Sequence, residues 1–166
     1  MLAYSTEYGR VGNYDTANNK NTSFKTYFNN KGPVSISWAF DIQFDIHQEK
    51  GEDITTTNSN MKFVRDCIIA CNTQGLIYAY DMKQPNTKPI QVNQILRQVN
   101  PTWSATLEAK VKTSRCCSSV DPHSRFLALG NTDGVVEVYR LDNFKIIYIA
   151  SSKQVAVTKL AWNGKL

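Results

Sequence analysis

An aromatic side chain and several cations share the segment 97–115, a combination that suits contact with a single-stranded nucleic acid. Trp103 is followed in this segment by Lys110, Lys112 and Arg115. Cations bind phosphates, and an aromatic ring that stacks on a base contributes roughly 1–3 kcal/mol. The alternative interpretation is that Trp103 packs the segment onto the fold, while Lys110 and Lys112 lie along a solvated strand edge.

Catalytic chemistry has much weaker support in the sequence. Asp41, Asp45 and His47 alternate along one segment and could together hold a metal ion, but a solvated strand face is the favoured interpretation. The sequence contains no glycine-rich phosphate loop and no dinucleotide-binding fingerprint. No nucleophile, base and orienting group can be assembled with any specificity. We therefore expect no enzyme activity, no metal site and no cofactor.

A repeated phrase in the sequence indicates which elements position the candidate residues. Each copy combines a strand of small residues, a polar turn closed by glycine, and an alternating strand that ends in tyrosine. The copies occupy 2–15, 69–81 and 127–140, and their turns end at Gly9, Gly75 and Gly134. The glycine supplies the positive φ that such a turn requires. Tyr-Asp or Tyr-Arg stands where WD repeats carry Trp-Asp, so the repeat predicts an array of similar sheets.

The expected fold is all-β, a partial WD40-type β-propeller with about three blades plus the start of a fourth. Val120 and Trp162 occupy equivalent positions of successive blades, and their separation falls within the roughly 40–45 residues of this repeat. We expect the whole chain, 1–166, to be one such unit. Its blade pieces are expected at about 1–28, 33–96, 114–151 and 155–166, with insertions at about 41–64 and 97–113.

The strand pattern within these pieces follows from the alternation of apolar and polar residues. Strands are expected at 2–6, 9–15, 23–28, 33–40, 66–72, 76–82, 89–95, 114–120, 126–131, 135–141, 144–150 and from 155 to 162. Strict alternation over 40–47 favours a longer first inner strand, and Val92–Val99 is compatible with a helical turn between blades. Propellers close with 4–8 blades. We therefore expect this chain to be a piece of a longer protein that supplies the rest of the ring, and to aggregate on its own because blade faces stay open.

Composition limits the function without deciding it. The net charge of +5 and the pI of about 9.0 permit binding to nucleic acid, but the charges are scattered, as on an ordinary solvated surface. No run reaches the ~18 apolar residues of a membrane span, so no membrane association is expected. Cys67, Cys71, Cys116 and Cys117 match no disulfide framework. Reduced cysteines in small core sites suit the cytoplasm or the nucleus.

Several runs resemble the WD-repeat region of the fifth Gemin family. They are Leu2–Thr16 with Asn19-Lys20, Val92–Arg97, Leu127–Gly134, Asn143–Ile147 and Val157–Trp162. The resemblance implies a piece of the second of two tandem propellers. It also implies binding of small nuclear RNA at the Sm site and of the methylguanosine cap, within the survival-of-motor-neuron (SMN) complex. The implied role is spliceosomal snRNP assembly, in the cytoplasm and nucleus, alongside other Gemin proteins.

One position at which the family carries a tyrosine that stacks on RNA bases is not aromatic in this sequence. The family places a tyrosine four residues before the inner-strand tryptophan; counting back from Trp38 gives Val34, which cannot stack, and Tyr27 is the neighbouring aromatic. The loops expected on one rim also include the turns at Glu7-Tyr8, Asn72–Gln74 and Asn131–Asp133. The candidate RNA-binding residues are Tyr27, Lys31, Val34, Trp103, Lys110, Lys112, Arg115 and Lys153. The alternative is a WD40 scaffold that binds only protein partners through the same rim.

Overall fold

A computed structural model of the protein describes residues 1–24, 27–28, 34–46, 61–102, 115–152 and 155–164. For 34, 44–46, 61–64 and 115–116 it describes the backbone alone. The elements are β1 (Leu2–Ser5), β2 (Val11–Asp15), β3 (Lys20–Ser23), β4 (Val34–Ile46), β5 (Met61–Asn72), β6 (Ile77–Asp81), β7 (Ile90–Gln91), α1 (Val92–Val99), β8 (Arg115–Val120), β9 (Phe126–Asn131), β10 (Val135–Arg140) and β11 (Ile146–Ser151). The predicted all-β class is confirmed.

The strands form three antiparallel sheets in chain order. The first sheet is β1-β2-β3, the second is β4-β5-β6-β7, and the third is β8-β9-β10-β11. Within each sheet every strand pairs with its neighbours in sequence in antiparallel fashion. Within the described residues the three sheets do not close into a ring, so the propeller and its blade boundaries stay predictions.

The three predicted glycine turns are present and share one construction. Gly9, Gly75 and Gly134 have φ of 78°, 76° and 80°. In the second sheet, Oδ1 of Asn72 accepts hydrogen bonds from the backbone N–H groups of Gln74 (3.1 Å) and Leu76 (2.9 Å). Asn131 repeats this bonding in the third sheet with Asp133 (3.0 Å) and Val135 (2.8 Å). The side chain thus holds the turn whose backbone the glycine allows to close.

The third strand of the first sheet differs from the prediction. It was expected at 23–28, but β3 is Lys20–Ser23. Oδ1 of Asp15 accepts hydrogen bonds from the N–H groups of Ala17 (3.0 Å) and Asn18 (3.3 Å), which turns the chain back at once. Phe24 and Phe28 then leave the sheet and are buried against the second sheet.

The insertion expected at 41–64 begins and ends in paired strands. β4 continues to Ile46 and β5 begins at Met61, and these segments pair with each other from Ile42↔Arg65 to Ile46↔Met61. Within β5 only Cys67–Cys71 pairs with β6, so 41–46 and 61–65 form a two-stranded arm beyond the sheet. The insertion itself stays a prediction, since 47–60 lies outside the described residues. The expectation of a longer inner strand is confirmed. The pairing shifts register between Ala39 and Ile42, where the arm leaves the sheet.

Helix α1 confirms the predicted helical segment and replaces most of the outer strand expected at 89–95, of which only Ile90–Gln91 remains. Two buried amides fix the helix. Asn93 accepts a hydrogen bond from Ile77 N–H (2.6 Å) and donates to the carbonyl of Gly75 (2.7 Å) in the second sheet. Asn100 donates to the carbonyl of Phe144 (2.8 Å) and accepts from Ile146 N–H (3.0 Å) in the third. These side-chain bonds compete with continued strand pairing.

The strand expected from 155 to 162 is not formed. The backbone N–H of Val157 donates to Asn131 O (2.9 Å), and Trp162 Nε1 donates to Ser119 O (3.1 Å). A side chain at Gly130 would meet Val157 Cγ1 at 2.6 Å, so this glycine makes room for the segment. The segment packs on the third sheet but has no strand to pair with among the described residues.

Two apolar cores lie between the sheets. One joins the second and third sheets with α1 and contains Leu127, Leu129 and Tyr139. The other joins the first and second sheets and contains Val11, Phe28 and Tyr80. No helix in the described part of the chain is long and apolar enough to cross a membrane.

The cysteine thiols occupy these interiors as the sequence predicted. Cys67 and Cys71 are buried in β5 and Cys117 in β8, and none forms a disulfide. Burial, reinforced by the charges of Asp81 and Asp66, raises the pKa of Cys67 to about 12. This thiol is therefore protonated at neutral pH and acts as a small apolar side chain. The side chain of Cys116 lies outside the described residues.

Asp121 holds the β8–β9 turn through its charge. Its side chain is 3% exposed, and Oδ1 accepts a hydrogen bond from the N–H of Phe126 (2.7 Å). Burial alone would raise the pKa of this carboxyl. The N–H groups of Phe126, Arg125 and His123 and the Arg125 side chain outweigh burial and hold the pKa below its usual value.

We expect Asp121→Asn to lower the free energy of unfolding by about 1–2 kcal/mol at pH 7, because charge-assisted hydrogen bonds are lost. The pKa of Asp121 is lowered by folding, so its stabilisation is complete above about pH 4 and disappears as the pH falls through the folded-state pKa. Urea unfolding at pH 7 and pH 3 measures this. The difference between wild type and variant should shrink at pH 3, and an unchanged difference would contradict the assignment. Asp133→Asn is the control, because Asp133 is exposed and lies in the β9–β10 turn, at the opposite end of the third sheet.

Candidate nucleic-acid interface

One edge of the sheets collects the turns and strand starts on which the candidate residues depend. Val34 pairs with Asn72 and Arg115 pairs with Asn131, so β4 and β8 each begin beside a glycine turn. We call this edge the upper rim: the turns Thr6–Gly9, Asn72–Gly75 and Asn131–Gly134, with the first residues of β4 and β8. The repeat therefore brings Val34 and Arg115 to equivalent places.

The chain that leaves β11 also returns to the upper rim. Ser152 N–H donates to the carbonyl of Gly134 (2.8 Å), and Ser152 Oγ donates to the carbonyl of Val155 (3.3 Å). Ser152, which precedes Lys153, is thus bound to the third turn, and Val155 is bound to Ser152. Lys153 itself lies outside the described residues.

Tyr27 is the one predicted RNA-binding residue whose side chain the structure describes. Its ring is half-buried and lies 6.0 Å from the ring of Tyr78, at an interplanar angle of 47°. The adjacent Phe28 is fully buried and contacts Tyr78 edge-on at 5.1 Å. A side chain at Gly9 would meet Phe28 Cβ at 3.0 Å, which places 27–28 beside the first turn. Tyr27 is therefore held in place beside the upper rim, with part of its surface used in packing.

The aromatic cluster beneath Tyr27, formed by Phe24, Tyr78 and Tyr80, is uncharged at neutral pH. Phe24 and Tyr80 lie 5.4 Å apart between the first and second sheets. Burial raises the pKa of Tyr80 far above its usual range, and the neighbouring Tyr78 adds to this. The cluster thus provides a rigid apolar support rather than an acid or base.

The remaining candidates are only partly placed. Val34 and Arg115 are located by their backbones alone, as given above. Lys31, Trp103, Lys110, Lys112 and Lys153 lie outside the described residues. The structure thus fixes where their segments leave and enter the sheets but not their contacts, and their role in binding stays a prediction.

Tyr8 is an exposed aromatic that the choice of candidates missed. It stands at the tip of the Thr6–Gly9 turn with 63% of its surface exposed. A tyrosine in a polar turn, outside any apolar periodicity, is the sequence signal that could have singled it out. Within the described ranges no group of three His, Cys, Asp or Glu side chains could hold a metal ion; His47 lies outside them.

Comparison with known proteins finds a similar protein in human and in mouse. Human Gem-associated protein 5 is 22% identical over 162 residues, which is 98% of this chain. The chain is similar to Gem-associated protein 5. The mouse protein of the same name is 22% identical over 153 residues, or 92% of the chain. This similarity confirms the resemblance predicted from the repeated runs.

The similarity is limited to a short part of these relatives. The chain spans 10% of the length of human Gem-associated protein 5 and 9% of that of the mouse protein. No family model matches the chain. The comparison therefore relates a segment of about three sheets to a segment of a much longer protein.

Proposed function

We propose that this chain is part of a WD-type β-propeller that binds RNA through its upper rim. The observation that carries the proposal is the similarity to Gem-associated protein 5 over 98% of the chain. The chain order of the sheets supports the propeller, because two successive four-stranded antiparallel meanders stand side by side. Hydrogen bonds from Ser118 N–H to Ser35 Oγ (3.1 Å) and from Ser35 Oγ to Ser118 O (3.0 Å) join their first strands.

The chemistry of the rim supports RNA as the ligand. Lys110, Lys112 and Arg115 belong to the segment that enters β8, while Lys31 precedes β4 and Lys153 follows β11. The described ends of these segments, at 34, 115 and 152, border the upper rim, so charges close to them would act on one bound strand. Trp103, Tyr27 and the exposed Tyr8 supply rings for base stacking. Binding should accordingly weaken as the salt concentration rises, because phosphate contacts release counterions.

The finer role follows from the resemblance to the fifth Gemin. The RNA is a small nuclear RNA recognised at its Sm site or cap, and the activity is spliceosomal snRNP assembly with SMN-complex proteins as partners. The module acts in the cytoplasm and nucleus, binds rather than catalyses, and needs no cofactor. The rest of its ring comes from a longer chain.

A protein-binding scaffold without RNA contact is the second candidate function. Val34 at the family's tyrosine position favours it, because valine offers no ring to a base. Tyr27 compensates only in part, since it also packs on Tyr78. A partner protein on the same rim would bind with little dependence on salt.

Ultraviolet crosslinking with peptide mapping tests the proposal. The chain is crosslinked in cell extract to a small nuclear RNA with its Sm site intact, and to the same RNA with the Sm site scrambled. We expect crosslinks at Trp103, Tyr27 or Tyr8, enriched for the intact site. Equal crosslinking of both RNAs would reject Sm-site recognition, and crosslinks absent from the rim would favour the scaffold.

A further inference from the structure

The edge of the sheets opposite the upper rim contains a cleft that the RNA proposal does not use. It lies between the base of the arm, at Asp41 and Ile42, and the two turns of the third sheet that precede β9 and β11. Its volume is about 560 Å³, within the roughly 300–1,000 Å³ of ligand sites in proteins. We call it the lower cleft.

Arg125 is held in this cleft by its neighbours. Its Nε donates to Oδ2 of Asp121 (3.3 Å), and its guanidinium lies 5.3 Å from the ring centroid of Phe126. Phe126 is backed in turn by Trp162, whose ring is 6.0 Å away and nearly parallel. Half of the Arg125 side chain stays exposed. A guanidinium fixed at Nε and on one face presents its terminal N–H groups for a bidentate contact with a carboxylate.

The other charged side chains in the cleft favour a ligand with one carboxylate over RNA. Arg140 is bound to Asp142 through Nε (3.1 Å) and Nη2, so these two charges largely neutralise each other. Asp41 adds a negative charge at the base of the arm. A polyanionic RNA backbone would meet both aspartates. A single carboxylate brings far less negative charge against these aspartates than RNA does. It can bind the terminal nitrogens of Arg125, because Arg125 pairs with Asp121 through Nε alone (3.3 Å).

Apolar and strained features complete the site. Ile147 lines the cleft with 50% of its surface exposed, beside the buried Ile42 and Leu141. Asp41 adopts a φ of 53°, which is unfavourable for a residue with a side chain. Its N–H donates to Asp66 Oδ1 (3.1 Å), and the preceding Phe40 N–H donates to Ser124 Oγ (2.9 Å). The first bond fixes the base of the arm within the second sheet, and the second joins it to the β8–β9 turn of the third sheet, on the other side of the cleft.

We propose that the lower cleft is a docking site for an extended peptide that carries one carboxylate side chain between apolar residues. The carboxylate binds Arg125, and the flanking apolar side chains cover Ile147. A protein partner bound there would leave the upper rim accessible, since the two lie at opposite ends of the third sheet.

Two fluorescein-labelled nonapeptide libraries test this with the whole chain. Both have leucine on each side of the central residue and random residues elsewhere; the central residue is Glu in one and Gln in the other. Fluorescence anisotropy should show the Glu library binding about tenfold more tightly, the effect of one charge-assisted hydrogen-bond pair. Equal binding of the two libraries, or no binding at millimolar peptide, would overturn the proposal.

Matched variants locate the site. Arg125→Gln should reduce binding of the Glu library to the level of the Gln library, while Arg10→Gln, an exposed arginine at the first upper-rim turn, should leave it unchanged. Ile147→Asp should weaken binding, because it removes the apolar contact and adds a like charge, whereas Ile147→Leu should preserve binding, because leucine keeps the apolar surface. Equal effects within either pair would overturn the assignment. So would loss of oligouridylate binding in Arg125→Gln, which would assign the cleft to RNA.

Discussion

Replacing Gly134 by alanine is expected to lower the free energy of unfolding by about 3 kcal/mol. The left-handed conformation at φ 80° costs a residue with a side chain about 1–2 kcal/mol. The new Cβ would also meet the carbonyl oxygens of Ser152 and, at 2.6 Å, of Val155. Backbone atoms cannot rotate away, so this crowding adds about 1–3 kcal/mol. Urea unfolding followed by circular dichroism measures the change.

Gly164→Ala is the matched control, because nothing lies within 4 Å of a side chain added at Gly164. It should leave the unfolding midpoint unchanged within error. If Gly134→Ala proved as stable as Gly164→Ala, the third turn and the segment bound to it could not be constructed as described.

Replacing Trp103 by alanine is expected to weaken RNA binding about 5–150-fold, the equivalent of one base stack of roughly 1–3 kcal/mol. The measurement is a titration with a small nuclear RNA fragment at fixed salt. The salt dependence should change little, because the substitution removes a ring and no charge.

Tyr148→Ala provides the control for this experiment. Tyr148 is 60% exposed on the outer strand β11, away from the upper rim, and its loss should not alter RNA affinity. An unchanged affinity for Trp103→Ala would support the alternative that Trp103 packs its segment onto the fold. Equal losses for both variants would point to a general effect on stability.

Much of the fold could be predicted from the sequence because it depends on local signals. Gly75 and Gly134, each three residues after an asparagine, specify their turns through one backbone conformation and one side-chain acceptor. The apolar alternation of 40–46 likewise predicted that β4 runs long. Such features need only neighbouring residues, and they were correct.

The errors arose where distant contacts override local pattern. The outer strand expected at 89–95 is reduced to Ile90–Gln91, because Asn93 and Asn100 find buried partners that hold α1 between the sheets. Phe24 was assigned to the strand expected at 23–28 and instead fills the core beside Tyr80. No periodicity reveals which amide or ring will meet a partner far away in sequence.

The candidate sites likewise differ in how far they could be predicted from local sequence signals. The turns of the upper rim could be predicted because the repeat locates their glycines, whereas the equivalence of Val34 and Arg115 comes from the strand register. The polar turn around Tyr8 was a usable sequence signal, and the structure adds the extent of its exposure. The lower cleft was not predicted, because Asp41 and Arg125 meet only through the packing of the arm on the third sheet.

The buried cysteines allow the opening rates of the second and third sheets to be measured separately. Cys67 and Cys71 are in the second sheet, Cys117 is in the third, and all three are shielded from solvent. A thiol whose pKa is about 12 does not react with an alkylating reagent while its sheet is closed. The rate of modification at each site therefore reports how often that sheet opens. Opening of the second sheet can therefore be followed separately from that of the third, through thiols already present in the sequence.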